Sequence, residues 1–410
     1  MLSDEVLDKI IERLVNRMEK ANEHILKAIG ESINEIGTIN PSKLNQLIMS
    51  LKYGSNYKSM IKKLEEYTEL NQKEIEEIFD EVAKSDYKFA EKYYKYKNRR
   101  YVPYRENKAL IESTRAMANI TANELMNLSN TTSIGFGFQT KDGIQFKGLK
   151  ETYYDLLDEA VISVHQGKEV FDSAMYRQLK QIGESGLKVI YPTTYIGKDG
   201  KEHHYVRRLD SAMRMNLKGA LRNLHNETQK IIGEQIDADG IEINVHSNPA
   251  PDHADAQGKQ FSNEEFEKLQ TTGRAKTYDG VKISLHRGHS QFRPISEWNC
   301  YHYVFSINLG IDKPQFTQEY LDEIKEKNDE GFTYEGEHYT MYEGTQLQRQ
   351  IETEIRKQKE AQLLGEKAGN EQLIQEARKK ARILSKKYRE LCNISGLQSR
   401  VDRMRIWHPP

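Results

Sequence analysis

A strand-like run ends at His246, and a proline-bounded loop then carries Asp252 and His253. Gln257, Gly258 and Lys259 follow, and about forty residues later come Trp298, Asn299, Cys300, Tyr301 and His302. Imidazole, thiolate and carboxylate are the groups that hold Zn²⁺ in tetrahedral sites. His246, His253, Cys300 and His302 make a closed four-ligand set, with Asp252 as an outer or substitute ligand. The spacing is that of no standard zinc finger, and the same groups can instead hydrogen-bond one another and pin the loop to the strands. Catalysis is the third chemistry open to them. His253 would be the general base, oriented by Asp252 or His246, with Cys300 or a water as nucleophile. His286 and His289 add two titratable groups nearby. No nucleophile elbow, P-loop, HExxH or dinucleotide fingerprint accompanies them.

A second constellation spans residues 92–105. It holds Lys92, Lys95, Lys97, Arg99, Arg100 and Arg105 among Tyr93, Tyr94, Tyr96, Tyr101 and Tyr104, with no acid. Cations pair with phosphates and tyrosines stack on bases, so the segment is a candidate for nucleic-acid contact. The competing reading is a solvated helix end, where the helix dipole favours cations. A third cationic stretch, residues 371–391, is by default a solvated helix face.

The elements that must position these groups fall into three stretches. Residues 1–130 read as successive helices, with Leu7, Ile10, Leu14 and Met18 on one stripe and Ile75, Ile78, Phe79 and Val82 on another. Asn40 before Pro41 and Asn71 are candidate N-caps, and a further helix starts at Asn107. Residues 131–310 read as a small α+β core. In it, residues 187–195 and 203–207 form a hairpin, and Asp210 caps a long helix carrying Met213, Leu217, Leu221 and Leu224. Strands follow at 241–246, 282–286 and 301–307. Residues 311–410 return to helix: Leu347, Ile351 and Ile355 share one face, and Leu373, Ala377, Ala381, Leu384, Tyr388 and Leu391 approach a heptad seam. Gly365 and Gly369 mark the break between them. The fold class is therefore α+β and helix-rich, with a small central core between helical N- and C-terminal parts.

The chain has 410 residues, with 61 Lys+Arg against 62 Asp+Glu, so a global cationic field for holding polyanions is excluded. Two cysteines are too few for a disulfide framework or a four-thiolate zinc site. No apolar run reaches the ~18 residues of a membrane-spanning helix. Acids stand where a signal peptide would carry positive charge, which points to a reducing cytoplasm or something assembled there.

An ordered series now becomes recognisable: His246, then Pro251, Asp252 and His253, then Gln257, Gly258 and Lys259 with Phe261 and Ser262, then Asn299, Cys300 and His302. Tyr339, Thr340, Thr345, Gln346, Arg349, Glu352 and Arg356 continue it, and Arg208, Asp210 and Arg214 precede it. The series resembles the phage minor capsid protein 2 family, which is distantly similar to the Mu-type head-morphogenesis proteins. The resemblance covers residues 150–360 and extends towards 110–400. Ala256 stands where the family usually has an aromatic, and Tyr301 where it tends to have arginine.

The resemblance implies a structural role. Such proteins are low-copy components of tailed-phage heads, associated with the portal, head assembly and DNA packaging or delivery. The expected partners are portal and capsid proteins and packaged double-stranded DNA, with no membrane. The expected location is the portal vertex of the virion, after synthesis in the host cytoplasm. No cofactor is implied beyond the Zn²⁺ that the histidines and cysteine could hold. The rival functions are a metal-dependent hydrolase or nuclease, with the histidine cluster lining an open cleft, and a plain DNA-binding protein with a continuous basic face. Two packing expectations accompany the reading. Glu352 should sit between Arg349 and Arg356 on one helix face. Residues 1–70 and 371–405, as narrow amphipathic helices, should pack mainly on a partner.

Overall fold

Apolar residues three and four apart over most of the chain make the fold predominantly helical. The structure, a computed structural model, describes all residues but 1–3, 40, 71, 142, 197–199, 288–290, 298–299, 301 and 407–410. Among the described residues the chain forms α1 (Asp4–Thr38), α2 (Leu44–Tyr53), α3 (Ser55–Thr68), α4 (Gln72–Tyr96), α5 (Lys108–Leu128), β1 (Ile134–Thr140) and β2 (Gly143–Gly148). Next come α6 (Leu149–His165), α7 (Lys168–Ser185), β3 (Lys188–Ile196), β4 (Glu202–Arg208), α8 (Leu209–Gln235), β5 (Gly240–Ile243), β6 (Gln260–Ser262) and α9 (Asn263–Thr272). The rest is β7 (Arg274–Lys276), β8 (Lys282–Ser284), β9 (Val304–Ile307), α10 (Gln318–Glu330), β10 (Phe332–Tyr334), β11 (Glu337–Tyr339), α11 (Met341–Ala368) and α12 (Glu371–Ser395). This is the helix-rich α+β class expected, with small antiparallel sheets.

The chain divides into two units, each drawing residues from all three stretches of the sequence. The first comprises residues 1–11, 71–123 and 215–346; the second comprises 12–70, 124–214 and 347–410. In the second, β1 to β4 form one antiparallel sheet in the order β2-β1-β3-β4, with α6 and α7 packed on β1. The β3–β4 hairpin has the expected pairing, with Tyr195 opposite His203. Leu14, Val15, Met18, Ile25, Leu26, Ile29, Ile33 and Ile36 of α1 are all at most 1% exposed. Leu373, Ile374, Ala377, Tyr388 and Leu391 of α12 are buried too.

This burial corrects the expectation that the terminal segments await a partner. The apolar band of α1 is wider than one stripe, since Ile11, Val15, Ile25, Ile29 and Ile33 are buried beside Leu14 and Met18. Two glycines let α11 come close. A Cβ at Gly30 would lie 2.6 Å from Lys367 Cβ, and one at Gly183 would lie 2.5 Å from Ala361 Cα.

The α11–α12 break falls at Gly369, in the left-handed region at φ +67°, while Gly365 stays inside α11. Asn370 then caps α12, its side chain accepting from the Leu373 amide at 3.0 Å. Asn370→Ala is expected to cost about 1 kcal/mol in thermal unfolding, the usual worth of such a cap. Asp210, expected as the cap of α8, lies within the first turn of that helix. Its carboxylate faces Arg208 and Arg356.

In the first unit, β5 is the central strand of an antiparallel sheet ordered β6-β5-β9, and β7–β8 and β10–β11 are hairpins. Ile243, Ala256, Phe261, Leu269, Ile283, Leu285, Ile295 and Val304 form one apolar core. A second core gathers Tyr87, Tyr94 and Leu110 with Ile231, Ile232 and Ile236 of α8. Asn107, the expected start of a helix, precedes α5 and accepts from the Leu110 amide at 3.3 Å. Asn40 and Asn71 lie outside the described residues.

Candidate metal centre

Strand pairing brings distant residues together. β5 and β9 run antiparallel with Ile243 opposite Val304. The ladder continues as Asn244 and Tyr303 exchange hydrogen bonds, 3.0 Å from the Asn244 amide to the Tyr303 carbonyl and 2.7 Å from the Tyr303 amide to the Asn244 side chain. Residues just after β5 and just before β9 therefore share one end of the sheet, which puts His246 beside His302.

The loop after His246 winds through tight turns, with the Gln257 amide on the His253 carbonyl at 3.2 Å and the Gly258 amide on the Ile243 carbonyl at 2.9 Å. Gly258 has φ +69°, and a Cβ there would press Leu321 at 2.5 Å, so glycine is required. The loop lowers His253 onto the same site.

Cys300 Sγ lies 3.2 Å from His253 Nδ1 and 3.3 Å from His302 Nδ1. The ring of His302 stands edge-on to His246 at 4.8 Å and to His253 at 5.5 Å between centroids. Cys300, His253 and His302 are at most 3% exposed, and His246 is partly exposed. Supporting groups hold the rings. His253 Nε2 donates to the Arg293 carbonyl at 2.7 Å, and His302 Nε2 faces Gln257 Oε1 at 3.2 Å. The same Gln257 oxygen accepts from the His246 amide at 2.9 Å. Asp252 takes two hydrogen bonds from Arg293, at 3.1 and 2.9 Å, and stands 3.6 Å from His253 Nε2. Burial holds His302 well below the usual imidazole range and His253 below it, and pushes the Cys300 thiol up.

These observations separate the chemistries. A nucleophilic cysteine is exposed and electropositively activated, whereas Cys300 is sealed in and its thiol is disfavoured from ionising. The hydrolase rival requires the cluster to line an open cleft. A cleft of about 510 Å³ does exist in this unit, but it is lined by Asp86, Tyr93, His225, Glu242, Phe305 and Asp312 among others, and by none of the four cluster residues. The arrangement is that of a closed ligand set or a hydrogen-bonded pin. Asn299, Tyr301 and His289 lie outside the described residues. Arg293 escaped the sequence reading, because an arginine forty residues from its aspartate carries no local signal.

The remaining motif residues serve other contacts. Arg349, Glu352 and Arg356 lie on α11 in the second unit. Glu352 accepts from the Tyr388 hydroxyl at 3.0 Å and stands 3.8 Å from Arg403, while Arg356 turns to Asp210. Arg349 still acts on Glu352 through its charge, so that half of the expected arrangement is present, while Glu352 also reaches α12 and the C-terminal turn and Arg356 bonds to α8.

In the basic segment, Lys97 pairs with Asp312 at 2.7 Å with its side chain only 9% exposed, Arg99 pairs with Asp237, and Lys95 pairs with Glu91 at 2.9 Å. Tyr93 donates to Asp312, and Tyr87 and Tyr101 stack at 5.2 Å. These tyrosines pack the second core of the first unit. Arg100 and Arg105 are exposed.

Neither a curated protein nor a solved structure matches the chain. The family model described as phage minor capsid protein 2 matches residues 2–393, taking in the first hundred residues, where the sequence reading saw no resemblance. With nearly its whole length inside that match, the chain belongs to the phage minor capsid protein 2 family.

Proposed function

We propose that the protein is a structural component of the phage head that docks near the portal and serves head assembly or DNA packaging and delivery. The observation that carries this reading is the family match over residues 2–393. The burial of His253, Cys300 and His302, each at most 3% exposed, supports it. Docking falls to surfaces of the folded units, because the apolar faces of α1 and α12 are already covered within the chain. Contact with packaged DNA belongs to the same reading and would fall to Arg100 and Arg105, which are exposed; Lys95 and Arg99 are exposed too but pair with Glu91 and Asp237.

Chemical cross-linking of purified intact particles, read by mass spectrometry, tests it. The expected result is the chain present in particles and linked to portal subunits. Absence from particles overturns the virion role, and links confined to the major capsid lattice overturn the portal position.

A further inference from the structure

The hydrogen bonds around the cluster determine which ring nitrogens carry protons. A carbonyl oxygen only accepts, so the Nε2 of His253, 2.7 Å from the Arg293 carbonyl, carries the hydrogen. Gln257 Oε1 already accepts from the His246 amide, so it is the amide oxygen, and His302 Nε2 carries the hydrogen that points to it. With the hydrogen on Nε2, the imidazole presents Nδ1 as its lone pair in both rings. Both lone pairs converge on one sulfur, at 3.2 and 3.3 Å. One thiol hydrogen can serve only one of them. The His302 amide also points at that sulfur, 3.4 Å away, so the sulfur accepts a hydrogen bond while it faces both nitrogens.

A metal cation resolves this geometry. Tetrahedral zinc, with bonds of ~2.0–2.3 Å, sets its ligand atoms roughly 3.3–3.6 Å apart. The three donor atoms here all lie within 4.8 Å of one another, and the two sulfur–nitrogen separations are already near that edge length. The Nε2–H donated to a carbonyl is also how metal-bound histidines are held. The three grouped donors leave the fourth position open, and the His246 ring, partly exposed and edge-on to His302, is the neighbouring imidazole that could turn to fill it.

We propose that His253, Cys300 and His302, with His246 as fourth ligand, bind one structural zinc ion that ties the loop between β5 and β6 to the segment entering β9. On binding, the sulfur–hydrogen bond of Cys300 breaks, its proton leaves to solvent, and the sulfur's electron pair forms the bond to zinc. Gln257 is a positioning residue that orients His302. The ion is structural because its ligands are closed off and its three buried donors leave no room for a substrate.

The test uses the full chain, purified without chelators from zinc-supplemented medium. Elemental analysis of the wild type is expected to find about one zinc per chain. Exchange into cobalt should give the thiolate-to-cobalt charge-transfer band of a tetrahedral site. The chain has only two cysteines, which makes the assignment clean. Cys392→Ser should keep both metal and band, and Cys300→Ser should lose both. Gln257→Leu should weaken zinc binding by about 10–100-fold while the band keeps its shape, the usual effect of losing a group that orients a ligand. His246→Ala should weaken it at least as much. A folded wild-type chain with no zinc that develops no cobalt band overturns the proposal, whatever the variants do. So does a band that survives Cys300→Ser.

Discussion

Arg208→Met is expected to lower the unfolding free energy of the second unit by about 3–5 kcal/mol, the cost of stranding a buried charge. Arg208 ends β4 and is only 8% exposed. Its guanidinium makes a two-pronged bond to Glu360, at 2.9 and 2.6 Å, and a third bond to Asp210 at 3.2 Å. Glu360 also accepts from Asn22 at 3.0 Å, and Asn22 takes the Leu187 amide at 2.7 Å, so α1, α11 and β3 meet at this pair. Gly186 leaves the space, since a Cβ there would collide with the guanidinium. Methionine fills similar volume but leaves two acids with Arg356 as their nearby cation. Changing Glu360 to Met as well should recover most of the loss, because a buried pair replaced by apolar groups is often neutral. Urea denaturation followed by circular dichroism measures both variants. A single-variant loss below about 1 kcal/mol would mean that water reaches the pair and that the network is not a structural centre.

Much of the helical frame was legible in the sequence, and the reasons are local. Ile75, Ile78, Phe79 and Val82 on α4, and Met213, Leu217, Leu221 and Leu224 on α8, are buried as their spacing requires. Asn107 caps because its side chain can reach the third amide onward. What local spacing hides is how much of a helix is apolar and what covers it. Following Leu14 and Met18 alone made α1 look narrow, while Ile11, Val15, Ile25 and Ile29 beside them widen the band and seat it in its own chain. The β10–β11 hairpin, with Phe332 paired to Tyr339, was lost inside a stretch read as helix, since three-residue strands carry almost no periodic signal.

The candidate site divides in the same way. Histidine and cysteine are rare enough that their types alone singled out His246, His253, Cys300 and His302, which strand register then gathers. Arginine and lysine are common, and their partners come from elsewhere. Asp237 and Asp312, which neutralise Arg99 and Lys97, are more than a hundred residues away in sequence. A run of cations with no acid between them therefore reads as a phosphate-binding surface in the sequence, while the fold gives Lys97 and Arg99 acid partners of their own.

The second unit should also lose stability as pH rises through neutrality, and Glu19 is the group responsible. Arg208 pairs with Glu360 and Arg356 with Asp210, so the buried cations and acids are matched one to one. Glu19 is the surplus acid, 3.8 Å from an arginine already engaged. Burial first, and repulsion from Asp210 second, push its carboxyl from the ordinary 4.5 up to about 7. A raised carboxyl favours folding while it keeps its proton. Its contribution is whole below about pH 4.5, declines as the unfolded chain ionises first, and is gone above about pH 7. At 1.36 kcal/mol per pKa unit the total is at most about 3.5 kcal/mol. Asp210 works in the opposite direction: the Arg356 and Arg208 guanidiniums overcome its burial and hold it well below the usual carboxylate range. Its stabilisation is present above its unfolded value of ~3.9 and lost as pH falls further. Together they place the optimum of this network near pH 4–5, below the usual maximum between ~5 and 8. Glu19→Gln keeps the shape and removes the titration. Urea melts from pH 4 to 9 should therefore show the wild type falling below the variant, with the gap opening between pH 4.5 and 7. Parallel curves across that range would mean that Glu19 ionises without cost, and that Arg356 serves both acids at once.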